Sequence, residues 1–425
     1  MKIAILGGGL TGLSASYYLS KKGHKITIFE KEKTLGGLAS GFKKDNWNWY
    51  LDKTYHHIFS KDYDILGFAK EIGYESLFFK SPETASLINN YRIFPVDTPQ
   101  DFLKLPNLSI FEKIRAGLVL ATLKLSPMMK VYEKQSAEEF LKKTMGTGIW
   151  NNLWEEMFKK KFGKYSSEVL ASFIWARFKK RTKKLGYPTH GFQNFIDYLE
   201  RINKENNVVI NRGEDVRDIQ KTKEGYYINS FENNRKGERY DAIISTLPTP
   251  VLIKAAKDIF PKEYTERLKK LKYLHVINCI IETDMPLFKK SYWVNINIRE
   301  VPIMVLVQHT NFINKKHYGG KCILYIGNYV EDDSALYNME KEEIIKYFLP
   351  YLKKINSSFS LKNSKSYIFR SPYSQPIFNK TFINNKPDFK TPLDNFYIAN
   401  LDMTYPYDRG TNYAVKLGKS VSKFF

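Results

Sequence analysis

The sequence predicts an α/β fold in which a parallel-sheet domain, assembled from separated segments, is interleaved with a discontinuous α+β domain. Three observations carry that reading. A β-α-β start fills the first 30 residues, with a run of glycines between its first strand and its helix. From Asp101 to about Lys184, apolar and aromatic residues recur at helical spacing. Beyond Pro250 come β-rich runs with no further β-α alternation, before the chain ends in strand, glycine loop and helix. At 425 residues the chain is long for one domain. The order of these stretches assigns 1–80, 186–250 and 385–425 to the first domain and 81–185 and 251–384 to the second.

The elements follow from local pattern. "KIAIL" (Lys2 to Leu6) is a short buried strand, Leu10 to Lys21 a helix, and "KITIFE" (Lys25 to Glu30) a second strand. "SAEEFLKKTMG" opens a helix with a capping box, Ser136 followed three residues later by Glu139. "GFQNFIDYLERINKEN" is an amphipathic helix, and "NVVINRGEDVRDI" and "RYDAIISTLP" return to strand. "YLHVINCIIET", "PIMVLVQH", "CILYIGNY" and "KSYIFRS" suit an antiparallel sheet. "NFYIA" and a helix from about Thr411 close the chain.

Composition narrows the class. The chain is 43% hydrophobic, 26% charged and 15% aromatic, enough to bury a sizeable core. Its two cysteines, Cys279 and Cys322, lie in apolar strand-like runs, as reduced buried thiols do, and no metal-ligand spacing is present. The N-terminus does not read as a signal peptide, and no run reaches the ~20 apolar residues that span a bilayer. A cytoplasmic protein is therefore expected. The net charge of +23 favours anionic partners. No nucleic-acid-binding signature accompanies it. The basic helices and the apolar stretch "LVLATL" instead suggest peripheral contact with an anionic membrane.

"LGGGLTG" sets Gly7, Gly9 and Gly12 in the G-x-G-x-x-G register, after a strand and opening a helix. The first glycine permits the tight turn, the second the close approach of a pyrophosphate, and the third the packing of helix on strand. Glu30, ending the second strand, is placed to accept hydrogen bonds from ribose hydroxyls. A second glycine pair, Gly36 and Gly37, curls further backbone N–H groups toward the phosphates. The expected dinucleotide contacts are Gly7, Gly9, Leu10, Thr11, Gly12, Glu30, Lys31, Gly36, Gly37, Leu38 and Ala39.

This second glycine pair resembles FAD enzymes with a glutathione-reductase-like fold. "KKKFGKYSSEVLASFIWARFKKR", "LGYPTHGFQNFIDYLER", "YDAIISTLPTPVL" and "NFYIANLDMTYPYDRGTNYAVKLG" extend the likeness over nearly the whole chain. Together they resemble the FAD-dependent amine oxidase, protoporphyrinogen oxidase and phytoene desaturase family. The resemblance implies bound FAD, an adenine contact from the Val216 backbone, and a last helix whose N-terminus at Gly410, Thr411 and Asn412 faces the flavin pyrimidine. It also implies hydride transfer to the flavin from a small-molecule or lipid-linked substrate. The family's arginine after the second glycine pair is missing here, and the carboxylate before the last helix, Asp402, is displaced by one position.

"TYHHIF" falls where the family passes the flavin ring, and it is similar to a histidine stretch of UDP-galactopyranose mutases. The expected function is an FAD-dependent oxidoreductase. Its alternatives are a redox-neutral nucleotide-sugar mutase and a non-catalytic binding protein on the same fold. Because neighbours on an extended strand face opposite ways, at most one of His56 and His57 should face the flavin, with His57 favoured. Arg409, just before the last helix, is the candidate cation for a substrate carboxylate or phosphate.

Overall fold

The computed structural model describes residues 1–88, 90–230 and 238–425. Its first layer is a five-stranded parallel sheet built from three distant stretches of chain. The strand order is Val209–Arg212, Lys25–Glu30, Lys2–Leu6, Ala242–Ser245 and Phe396–Ile398. The central strand is apolar and buried from Ile3 to Leu6 because both its faces are covered there, as parallel sheets require. Helix Leu10–Ser20 lies on one face, packed against the last helix, Thr411–Val421, and against Phe192–Glu205. The last of these buries Phe192, Phe195, Ile196 and Leu199 along a single stripe. A three-stranded antiparallel meander, Val216–Lys221, Tyr226–Ser230 and Arg239–Tyr240, links the strands on either side of it.

The second layer is a seven-stranded mixed sheet. Its order is Lys365–Pro376, Tyr273–Thr283, Cys322–Val330, Val305–Gln308, Ser291–Ile296, Glu83–Ile88 and Arg92–Pro95. Alternation along the strands gives the sheet two different faces. Ile277, Cys279, Ile281, Leu324 and Ile326 pack beneath Ile344, Phe348 and Leu352 of helix Lys341–Ile355. Ile280, Val305, Val307, Ile323 and Tyr325 face the opposite way and share a core with Leu51 and Phe192. This second face is the roof of the site described below. Both cysteines are buried free thiols within the sheet.

Helices fill residues 99–180, as the periodicity predicts, and the capping box at Ser136 and Glu139 is formed. Trp150 and Trp175 belong to the core of this region. The apolar stretch around "LVLATL" forms helix Ile110–Leu125, which starts eight residues before that run because Ser109 and Glu112 cap it. One strand pairing departs from the sequence reading. The β-rich stretch is joined by Glu83–Ile88, which pairs in parallel with Ser291–Ile296, a strand the sequence pattern did not single out. No helix among the described residues is long and apolar enough to cross a membrane.

Candidate functional site

Two loops close on each other at the carboxyl ends of the parallel strands, where open α/β sheets form their ligand crevice. Gly7 turns the chain at φ +105°. A Cβ at Gly12 would stand 2.1 Å from the Gly7 carbonyl oxygen, so the helix can begin this close to the strand only with glycine there. Gly9 is different: a Cβ there would meet nothing within 4 Å. The second loop docks on the first through the Gly36 N–H, which donates to the Gly8 carbonyl at 2.9 Å, and Gly36 itself turns at φ +113°. Gly37 lies beside Gly9, Ala39 is buried, and the half-buried Leu38 accepts a hydrogen bond from the Thr54 hydroxyl. Leu10 is buried and Thr11 half-buried in the first helical turn.

The buried Glu30 carboxylate accepts from the Gly8 N–H at 2.7 Å and from the Glu32 N–H at 2.9 Å. Each oxygen keeps acceptor capacity for a further donor. The Glu30 carbonyl accepts from the Glu214 N–H, which brings the Val216 backbone alongside the same strand end. Lys31 is exposed and pairs with Glu32 rather than with the loops. The structure thus gathers every one of these predicted residues except the Lys31 side chain around one crevice.

The C-terminal residues divide between this crevice and the scaffold. Gly410 has extended backbone, and Thr411 begins the last helix with its hydroxyl buried and without a partner among the described residues. The Asn412 side chain does not face the crevice. It accepts from the Asp64 and Ile65 N–H groups at 3.0 and 3.1 Å, capping helix Tyr63–Glu71 from outside. The Asp402 carboxylate accepts from the Thr249 hydroxyl at 2.6 Å and the Tyr273 hydroxyl at 2.8 Å, and its other oxygen is buried without a partner. Burial pushes its carboxyl up to about 6.

The run from Tyr55 to His57 crosses beneath the seven-stranded sheet. Asp52, just before it, is fixed by hydrogen bonds from Tyr187 to its carboxylate and from Tyr325 to its carbonyl. A Cβ at Gly327 would stand 2.6 Å from the Tyr55 ring, so this glycine makes the space that Tyr55 fills. The two histidines diverge, as an extended chain dictates. His56 donates through Nδ1 at 2.6 Å to the Thr54 carbonyl and sits edge-on to Phe192. A carbonyl can only accept, so this Nδ1 carries the proton. His57 lies edge-on to Phe59 and Trp293, with its Nδ1 buried and without a partner among the described residues. Burial, reinforced by Arg409, pushes His56 down to about 3, and burial with Arg181 and Arg177 pushes His57 down to about 4. Both are neutral near pH 7.

Arg409 extends over the Tyr329 ring, its Cζ 5.2 Å from the centroid, with Nη1 buried and without a partner. Its guanidinium forms no salt bridge with Asp408. The Asp408 carboxylate binds Lys161 at 2.8 Å, lies 3.8 Å from Arg177, and accepts from the Arg409 backbone N–H. Burial disfavours the Arg409 charge, but Tyr329, Tyr55 and Asp408 outweigh it and hold its pKa above the ordinary value. Tyr407 stacks on Tyr413 at 4.8 Å. Sequence reasoning singled out neither Arg181 nor Lys161. Both stand in basic runs, "ARFKKRTKK" and "MFKKKFGK", in which pattern alone cannot tell an inward cation from a solvated one.

The family model described as flavin containing amine oxidoreductase matches residues 10–421. The chain belongs to this family. Its cofactor is FAD. Coproporphyrinogen III oxidase of Staphylococcus aureus (strain NCTC 8325 / PS 47) is 26% identical over 292 residues, covering 59% of this chain and 61% of that one. A 4,4'-diapophytoene desaturase of Staphylococcus haemolyticus is 48% identical over 54 residues, 13% of this chain and 11% of that one. The flavoprotein thus spans about three fifths of the first relative's length and a small part of the second's. Among solved structures, an oxidoreductase from Methanosarcina mazei has a TM-score of 0.76 at 19% identity, covering all of both chains. A reduced UDP-galactopyranose mutase has a TM-score of 0.76 at 16% identity, covering 99% of this chain and 94% of that one. At such identities the likeness concerns the fold.

The residues of this flavoprotein fit the cofactor. The free space at Gly9 admits a pyrophosphate against backbone, and the first N–H groups of helices Leu10–Ser20 and Thr411–Val421 lack intrahelical acceptors. The unpartnered buried oxygens of Thr411 and Ser245 add polar atoms at the same strand ends.

Proposed function

We propose that the protein oxidises or desaturates a small or lipidic substrate at the face of FAD, with residues 1–80, 186–250 and 385–425 binding the cofactor and 81–185 and 251–384 the substrate. When bound, FAD supplies the hydride-accepting centre. Gly7, Gly9, Leu10, Thr11, Gly12, Gly36, Gly37, Leu38 and Ala39 hold its phosphates, Glu30 its ribose, and the Val216 backbone its adenine. The N-terminus at Gly410, Thr411 and Asn412 stabilises negative charge through backbone N–H groups, since the Asn412 side chain is occupied elsewhere. Neutral His57 orients the substrate or exchanges a proton with it, while His56 stays tied to Thr54. The seven-stranded sheet excludes water from above. The observation that carries the reading is the family match across residues 10–421, supported by the open space at Gly9. Purified protein should be yellow, and anaerobic mixing with amines, porphyrinogens, polyprenyl substrates and nucleotide sugars should bleach it stoichiometrically for the right class. No bleaching by any of them, with turnover of a nucleotide sugar only after dithionite reduction, would replace the oxidoreductase by the mutase reading.

Peripheral attachment to an anionic membrane accompanies this proposal. Helix Ile110–Leu125 turns Phe111, Leu118 and Leu125 outward with 81%, 66% and 78% of their surface exposed. Ile114 and Met128 join them, and exposed Lys104, Lys124, Lys130 and Lys134 stand around the face. Apolar anchors rimmed by lysines match a bilayer carrying acidic headgroups. Flotation with phosphatidylserine vesicles should be lost in Leu118→Glu with the melting temperature unchanged. Equal flotation of this variant and the wild type would remove the assignment.

A further inference from the structure

We infer that the substrate carries an oxyanion, a carboxylate or a phosphate, which docks among Arg177, Arg181 and Arg409. This rests on the proposed placement of the substrate beneath the seven-stranded sheet, and it specifies the chemical class.

Charge around this space is unbalanced. Arg177 and Arg181 lie one turn apart at the end of helix Ala171–Lys180 and flank His57. Arg409 approaches from the C-terminal segment and adjoins His56 and Tyr329. Lys161 and Arg177 share a single carboxylate, Asp408. Among the described residues Arg181 has no carboxylate within salt-bridge distance, and Asp97 is the acid nearest enough to affect it. Burial with Arg177 alongside pushes Arg181 down to about 10, and it stays cationic. Among the described residues Arg409 Nη1 is buried with nothing to donate to, although the guanidinium also engages Tyr329. Lys161, Arg177, Arg181 and Arg409 are thus met by Asp408 and, at longer range, Asp97, in a half-buried space.

A buried guanidinium nitrogen left without an acceptor is expensive, and a ligand supplying two oxygens in one plane offsets that cost best. Neutral rings complete the surroundings. Tyr55, Trp293 and the two uncharged histidines bring no negative charge to compete for the arginines. A cationic amine would meet repulsion here, so the family's descriptive substrate does not fit this chain's own charges.

Isothermal titration of the purified protein with inorganic pyrophosphate, succinate and 1,4-diaminobutane tests this. Pyrophosphate, succinate or both should bind, at least tenfold more weakly to Arg181→Met and Arg409→Met, with Arg181→Lys retaining part of the affinity. Pyrophosphate alone would identify a phosphate, succinate alone a carboxylate. Binding of neither anion, preference for the diamine, or equal affinity in all three variants would overturn the inference. Circular dichroism and melting temperature establish that the variants are folded. Calorimetry needs no chromophore, so a colourless protein would count against the FAD reading while the anion result still stands by itself.

Discussion

Where the parallel strands end, the chain withholds side chains, and where the seven-stranded sheet faces them it supplies rings and charges. The first region is shaped by backbone. Gly12 touches the Gly7 carbonyl, Gly36 bonds to Gly8, and Glu30 is held between two N–H groups. The second is shaped by polar groups buried without full partners, among them Arg409 Nη1 and His57 Nδ1. Backbone geometry is insensitive to pH and salt, whereas buried unpaired groups respond to both. A cofactor retained through turnover suits the first region, and a ligand that must leave suits the second.

The difference can be broken most severely at Gly12. Gly12→Val drives a branched side chain into a backbone carbonyl that cannot yield, and overpacking of this kind costs about 1–3 kcal/mol or more. Purified Gly12→Val should be colourless and melt well below the wild type. The pH response of the second region comes next. His57 is held at about 4 when folded, below its unfolded value, so the unfolded chain binds the extra proton. Stability from this residue is present above the unfolded pKa and is lost as pH falls from about 6.5 to 4, by up to about 3 kcal/mol. His57→Asn should flatten that acid limb in urea titrations. Asp402, raised to about 6, works in the opposite sense, its contribution falling as pH rises from about 4 to 6.

Asp408→Asn should cost about 1–2 kcal/mol, because Lys161 and Arg177 lose their shared carboxylate while remaining partly wet. The same variant should tighten pyrophosphate or succinate binding if the arginines hold an oxyanion. The smallest effect on stability is expected at Gly9. A Cβ there meets no protein atom, so Gly9→Ala should keep the apo-protein melting temperature while lowering FAD content. A large drop in stability would show that Gly9 shapes the fold and not the cradle.

The first region was largely legible in the sequence and the second was not, for a physical reason. Strands Lys2–Leu6 and Lys25–Glu30 fall where the apolar runs predict, since local pattern and glycine spacing fix that turn. The helix start at Thr411 was equally plain. By contrast, nothing local tells Arg181 from its lysine neighbours or pairs Glu83–Ile88 with Ser291–Ile296 across some 200 residues. The divergence of His56 and His57 followed from strand geometry, but their partners, Thr54 and Trp293, depend on where the roof lands. Asn412 shows the limit well. Its helix was foreseen, yet its amide serves a different helix.

That amide has a consequence for biosynthesis. Helix Tyr63–Glu71 leaves the ribosome well before its cap, since the side chain that caps it comes 348 residues later. The outer strand Phe396–Ile398 of the parallel sheet arrives equally late. A nascent chain halted before its last helix holds the glycine loops without the element that closes them. Synthesis of Phe396–Ile398 and Thr411–Val421 is therefore also the moment at which the cofactor crevice becomes whole.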